Sequence, residues 1–251
     1  MKIFVAINLI ALLFAAATGL RAEASPGCVV LLHGMIRTPA SMEIMAEALT
    51  ASGYQVANVG YPSREFRIEE LAPMAVEDGL RRCEEMGHEG EVHFVTHSLG
   101  GILVRFYFED RPAEIVGRVV MLGPPNQGSH AADAMRDIPG FDWLNGPAGS
   151  QLGKGEESIP LSMGSPDFEF AVIAGNRTID PITSAILKDP DDGKVSVSDT
   201  YLAGMSDFRL ITVSHTYIMQ HDYVIELVQR FLRNGTFADI ENVFKEEEDQ
   251  E

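Results

Sequence analysis

The chain has 251 residues, of which 45% are hydrophobic and 22% charged, with 23 glycines and 13 prolines. This balance excludes a disordered or low-complexity protein, and the length suits one α/β unit with a sizeable core. A net charge of −18 describes a surface that repels nucleic acid and anionic lipid and is ill suited to a polyanionic substrate.

Residues 1–24 read as a secretory leader. Lys2 gives a basic start, Ile3 to Ala17 an apolar core, and Ala22-Glu23-Ala24 small residues at both key cleavage positions. The apolar run is short for a membrane span of about 20 residues, so cleavage after Ala24 and export to the periplasm or medium are expected. Loss of Lys2, Arg21 and Glu23 with the leader makes the balance −19. Residues 25–244 are expected to form the folded domain, and 245–251 (Lys-Glu-Glu-Glu-Asp-Gln-Glu) a frayed acidic tail.

Val29-Val-Leu-Leu32 is a continuous apolar strand of the kind a parallel sheet buries on both faces. It runs into the loop His33-Gly-Met-Ile-Arg-Thr38. A helix carrying Met42, Met45, Ala46 and Leu49 follows, then a strand over Tyr54 to Val59 and a helix from Ile68 to about Met86. Val92 to Val95 is the third strand, with a helix after it to about Glu114, and Val116 to Leu122 is the fourth. From Gly123 to about Pro166 the pattern becomes irregular, with scattered Pro and Gly and a few large apolar residues. Phe141 and Trp143 there are candidates to line an acyl-chain site, and the segment at about 124–166 is a candidate lid. Phe168 to Ile173 and Phe208 to Val213 read as the fifth and sixth strands, and a last helix ends at Asn234-Gly235. Alternating strands and helices predict a doubly wound, mostly parallel α/β sheet of about six strands.

Two cysteines, Cys28 and Cys83, form an even count in an exported chain, which favours a disulfide over two buried thiols.

The stretch Thr96-His-Ser-Leu-Gly-Gly101 places Ser98 on a sharp strand-to-helix turn with glycines behind it. A nucleophile elbow needs that arrangement, although a glycine-containing βα turn could also produce it. A serine hydroxyl is a poor nucleophile and needs a base held in one tautomer by a carboxylate. His215, after the sixth strand, fits the base, with His221 the rival among seven histidines. His97 adjoins the serine, points away from its hydroxyl and reads as a packed turn residue. The acid falls in the loop after the fifth strand, where Asp192 before Gly193 is preferred over Asp191 and Asp180. The amides of Leu99 and of Met35, in the loop after the first strand, are candidates for an oxyanion hole.

Val-Val-Leu-Leu-His-Gly-Met-Ile-Arg-Thr (29–38), Phe-Val-Thr-His-Ser-Leu-Gly-Gly (94–101), Leu-Gly-Pro-Pro-Asn-Gln-Gly-Ser (122–129), Asp-Asp-Gly-Lys-Val (191–195) and Val-Ser-His-Thr-Tyr-Ile-Met (213–219) together resemble the α/β-hydrolase superfamily, specifically compact bacterial lipase/esterase-like proteins. The resemblance spans essentially the whole mature chain. It implies an α/β-hydrolase fold, a triad of Ser98, Asp192 and His215, and an oxyanion hole from Met35 and Leu99. Thr96 departs from the glycine common at that position, and the early strands of larger hydrolases are missing. The expectation is a serine carboxylic-ester hydrolase acting on a small-molecule or lipid ester, with transient contact to a lipid surface. No cofactor, metal, nucleic acid or obligate protein partner is expected. A thioesterase or acyltransferase of the same fold, or a binding protein that kept the fold without catalysis, is the alternative.

Overall fold

The computed structural model describes residues 26–135, 141–179, 181–187 and 189–238. The expected leader and acidic tail lie outside the described residues. Six parallel strands form the sheet: β1 (Cys28–Leu32), β2 (Gln55–Val59), β3 (Val92–His97), β4 (Val116–Leu122), β5 (Glu169–Gly175) and β6 (Asp207–Ile211). Their order is β2-β1-β3-β4-β5-β6. β1, with five apolar residues in succession, is buried throughout, whereas the edge strands β2 and β6 are partly covered. Side chains alternate between two cores, as the two-residue strand period requires. Val30, Leu32, Phe94, Met121 and Val172 face one layer, and Val29, Leu31, Val95, Leu122 and Ile173 the other.

Helices cover both layers. α1 (Glu43–Ala51) supplies Met45 and Leu49 to one core, while α2 (Ile68–Glu85) and α3 (Leu99–Phe108) fill the other. α3 is shorter than the apolar pattern suggests. Pro112 lacks an N–H to continue the ladder and disfavours helical backbone at Arg111, so the chain leaves the helix in a turn whose Val116 amide donates to Ala113 O at 2.8 Å. The region expected to be irregular contains α4 (His130–Met135), α5 (Phe141–Gln151) and α6 (Ile159–Ser162). The first two resist detection because α4 is barely a turn and a half, and α5 is kinked at Gly146-Pro147. α7 (Pro181–Ile186) and α8 (Val197–Thr200) flank the Asp-rich turn, and α9 (Asp222–Asn234) closes the chain against α1 and β4, ending at a left-handed Gly235.

Side-chain hydrogen bonds fasten the inserted helices to the body. Arg105 of α3 is buried, and its Nη1 donates to Asn126 O (3.2 Å) and Oδ1 (3.1 Å) near the start of the insertion. Its Nη2 donates to Pro160 O (3.2 Å) and Gly164 O (3.3 Å) near the end. Burial pushes this guanidinium down to about 10, so it still carries its charge at neutral pH. Gln151 at the end of α5 accepts from the Ile68 amide at 2.8 Å and donates to Glu69 Oε2 at 2.8 Å, occupying the open start of α2.

Cys28 and Cys83 form a disulfide with Cα atoms 5.9 Å apart, tying β1 to α2 across a sequence separation of 55. A loop of that size restricts the unfolded chain by about 4 kcal/mol. The Cys28→Ala/Cys83→Ala protein should therefore melt roughly 10 °C below the oxidised wild type by calorimetry. An unchanged melting temperature would show that the bond does not constrain the unfolded state.

Candidate active site

The strand order reverses at β1, which has β2 on one side and β3 on the other. In open α/β sheets the crevice at the carboxyl ends of such a pair is where ligands bind. The register brings these ends level, since Leu32 pairs with Thr96 and His97 with Leu122. Ser98 follows β3 directly and the His33–Met35 loop follows β1, so the topology itself puts the candidate nucleophile beside the candidate oxyanion loop.

Ser98 is half-buried and sits at φ 52°, ψ −117°. Ile36 (φ 59°) is the other non-glycine residue with positive φ among the described residues, and it lies on the facing loop. Such backbone costs of order 1–3 kcal/mol and persists only where the surroundings enforce it. Here the Ser98 amide donates to Leu122 O at 2.9 Å, and the Ile36 amide to Ser63 Oγ at 3.2 Å. A Cβ at Gly100 would stand 2.6 Å from the Leu32 carbonyl, so only glycine lets α3 lie this close to β1. Thr96 fits for a related reason: its Oγ1 lies 3.2 Å from where Gly101 would carry a Cβ, so the small residue required at this contact stands on the helix side.

Asp192 and His215 meet as expected. Asp192 follows β5 in chain order and is almost fully buried, and its Oδ2 lies 2.7 Å from His215 Nδ1. A carboxylate only accepts, so Nδ1 carries the proton and Nε2 presents its lone pair. The other carboxylate oxygen accepts from the amides of Lys194 (3.0 Å) and Val195 (2.9 Å), and the His215 amide donates to Asp192 O at 2.9 Å. Asp191 is used differently: its oxygens accept from the Gly193 amide (2.7 Å) and Ser184 Oγ (2.6 Å), shaping the turn. Asp180 lies outside the described residues. His221 stands at the start of α9, with Nδ1 buried and unpartnered. The Ser98 hydroxyl and the His215 ring are not hydrogen-bonded to each other, a looseness common before substrate is bound.

Three aromatic rings hold this arrangement from behind. His97 is buried, its Nε2 donates to His215 O at 3.0 Å, and its ring lies 4.7 Å from the His215 ring. Its role as a tether went unread in the sequence, although the strand period places it on the same face as Val95, toward the sixth-strand loop. Burial, then the neighbouring His215 and Arg37, hold the His97 imidazole well below its ordinary value. His33 stacks on Tyr61 with centroids 4.1 Å apart, donates from Nδ1 to Gly34 O at 2.8 Å, and receives the Tyr61 hydroxyl on its carbonyl. Burial lowers the His33 imidazole and raises the Tyr61 phenol, so both stay neutral. The loop they support has no room to spare, since a Cβ at Gly34 would stand 2.6 Å from His97 Nδ1 and 3.1 Å from Ser98 Cβ. Met35 reaches the insertion, with Sδ 3.3 Å from where Gly149 of α5 would carry a Cβ. Phe141 and Trp143 belong to α5, but their side chains lie outside the described residues. Among the described residues no group of three His, Cys, Asp or Glu is arranged to hold a metal.

No family model matches the chain, and no curated protein matches it in sequence. Solved structures do match in shape. The lipase BlEst2 of Bacillus licheniformis, in its mature form, superposes with a TM-score of 0.71 at 18% identity, over 84% of this chain and 93% of that one. The fold is the α/β-hydrolase fold. Phospholipase PlaB of Legionella pneumophila matches with a TM-score of 0.64 at 18% identity, covering 87% of this chain and 63% of its own. The metagenomic carboxyl esterase MGS0156 matches at 0.60 and 15% identity, over 78% and 66%. This chain also spans 51% of the propeptide form of BlEst2. The likeness in shape thus covers 78–87% of this chain.

Three imidazoles, the buried His33 and His97 and the half-buried His93, are held below their ordinary value, chiefly by burial. The unfolded chain therefore takes up protons below about pH 6.5 that the folded state refuses, and stability falls as pH drops through that point. The urea midpoint should be lower at pH 5.5 than at pH 7.5 with an unchanged slope. Equal midpoints would mean that these rings protonate in place. For His93, whose Nδ1 accepts the Arg118 amide at 2.8 Å, His93→Gln should flatten part of the dependence.

Proposed function

We propose that the chain is a serine carboxylic-ester hydrolase, exported by its leader, acting through an acyl-enzyme on an ester with an apolar acyl group. The observation that carries this reading is the buried 2.7 Å pairing of Asp192 with His215 Nδ1, beside a serine held on a strained elbow. The fold shared with a lipase, a phospholipase and a carboxyl esterase supports it. The disulfide supports export, and no helix among the described residues is long and apolar enough to cross a membrane.

Ser98 Oγ attacks the acyl carbonyl carbon while His215 Nε2 takes its proton. Asp192 stays ionised and stabilises the resulting imidazolium. The carbonyl oxygen becomes an oxyanion that accepts from the amides of Met35 and Leu99. Collapse expels the alcohol, which takes the proton from His215. Water, activated by the same imidazole, then attacks the acyl-enzyme, and the carboxylic acid leaves with Ser98 restored. Met35 touches α5 at Gly149, which supports an acyl chain running beneath that helix.

Ser98→Ala should lower p-nitrophenyl ester turnover by at least about 10³-fold, abolish fluorophosphonate labelling, and leave the melting temperature nearly unchanged. Labelling of wild type with no turnover of any ester would favour a thioesterase or acyltransferase, and absence of labelling a binding protein. Asp192→Asn should cost about 10²–10⁴-fold in kcat, because the amide no longer selects the productive tautomer. Activity should also decline on acidification, since a protonated His215 cannot accept the serine proton, and a flat profile would remove His215 as the base.

A further inference from the structure

Arg37 is a cation on the loop after β1 of this acidic chain. Arg67, Arg81, Arg82, Arg118, Arg209 and Arg230 each contact a carboxylate. Arg37 pairs with none among the described residues, although the chain carries 37 acidic residues. Its one side-chain hydrogen bond runs from Nη2 to Thr216 Oγ1 at 3.3 Å, a neutral partner that leaves most of the guanidinium's five donors unused. The position is specific. Arg37 stands two residues beyond Met35 on the loop after β1, and Thr216 directly follows His215 on the loop after β6. The charge lies close enough to the site to help hold down the His97 imidazole. Its sequence neighbour Ile36 and Thr216's neighbour Tyr217 are exposed at 44% and 55%, so both loops that the Arg37–Thr216 bond joins carry an exposed apolar residue.

We propose that Arg37 forms a subsite for a single anionic group, a phosphate or a carboxylate, on the alcohol side of the scissile ester. The side follows from the chemistry. The leaving alcohol takes its proton from His215, so it lies against the β6 loop, and Arg37 bridges to that loop. The apolar neighbours suit an amphiphile, and the planar guanidinium suits an oxyanion in two-point contact. The acidic surface repels an anionic lipid sheet while the positive charge of Arg37 draws in a lone anionic group, so the substrate is taken as a monomer or from a neutral or zwitterionic surface. This inference rests on the ester-hydrolase reading.

The test uses the full, oxidised protein and matched ester pairs: 4-hexanoyloxybenzoate with its methyl ester, and 1-hexanoylglycerol 3-phosphate with 1-hexanoylglycerol. Comparing wild type with Arg37→Gln on each substrate cancels differences in intrinsic reactivity. The substitution should lower kcat/KM about tenfold on the anionic member, mostly through KM, and clearly less on the neutral one. Arg37→Lys should keep part of the preference, and about 0.5 M salt should shrink it. A larger effect in the phosphate pair than in the carboxylate pair assigns the subsite to phosphate, and the reverse assigns it to carboxylate. Equal losses on both members of each pair would overturn the proposal and reduce Arg37 to a tie between two loops. Hexyl phosphate binding separates this failure from that of the underlying function, because it needs no turnover. Weaker binding to Arg37→Gln in a protein that cleaves no ester would keep the subsite and reject the hydrolase, and equal binding would reject the subsite.

Discussion

The site depends on how closely α3 approaches β1. Ser98 can hold its strained backbone only because Gly100 rests on the Leu32 carbonyl and the Ser98 amide is tied to the end of β4. That contact sets the start of α3, and with it the direction of the Leu99 amide. It also fixes the distance to the loop after β1, where Gly34 leaves no space between itself, His97 and Ser98. The cost of the strained turn is spread over a parallel sheet whose four inner strands are largely buried, which tolerates little local adjustment. The geometry of the candidate site is thus a property of the sheet's packing.

The second half of the site is electrostatic. The oxygens of the buried Asp192 meet two amides and an imidazole, which replace the water they lose. Around it, burial keeps His33, His97 and Tyr61 neutral, so the Asp192–His215 pair is surrounded by rings that add shape without adding charge. A chain with a net charge of −18 thereby keeps most of its acids on the outside and a controlled pair within.

Much of this was legible in the sequence. Continuous apolar runs marked inner strands such as β1, because a parallel sheet covered on both faces needs them, and alternation marked the edge strand β2. The order of Thr96-His-Ser-Leu-Gly-Gly101, Asp192-Gly193 and His215 put the three candidate residues after β3, β5 and β6, where the structure has them. The choice of Asp192 over Asp191 came from a turn preference, whereas the structure separates them by hydrogen bonding: one carboxylate reaches the imidazole and the other serves its own turn. Less was legible where periodicity is short or where partners are distant in sequence. Pro112 ends α3 earlier than its apolar pattern suggests, and α4 to α6 are too short or too kinked to show a period. The tether from His97 to the His215 carbonyl joins residues 118 apart, and nothing local announces it.

Arg105 has a mechanical meaning for the insertion. One buried cation grips the segment near both of its ends, at Asn126 and at Pro160–Gly164, through carbonyl and amide oxygens alone. Swinging these ends outward would break four hydrogen bonds to one buried cation at once. The two ends of the insertion therefore act as fixed footings. The kink of α5 between them is packed as well, since a Cβ at Gly146 would collide with the Arg64 backbone.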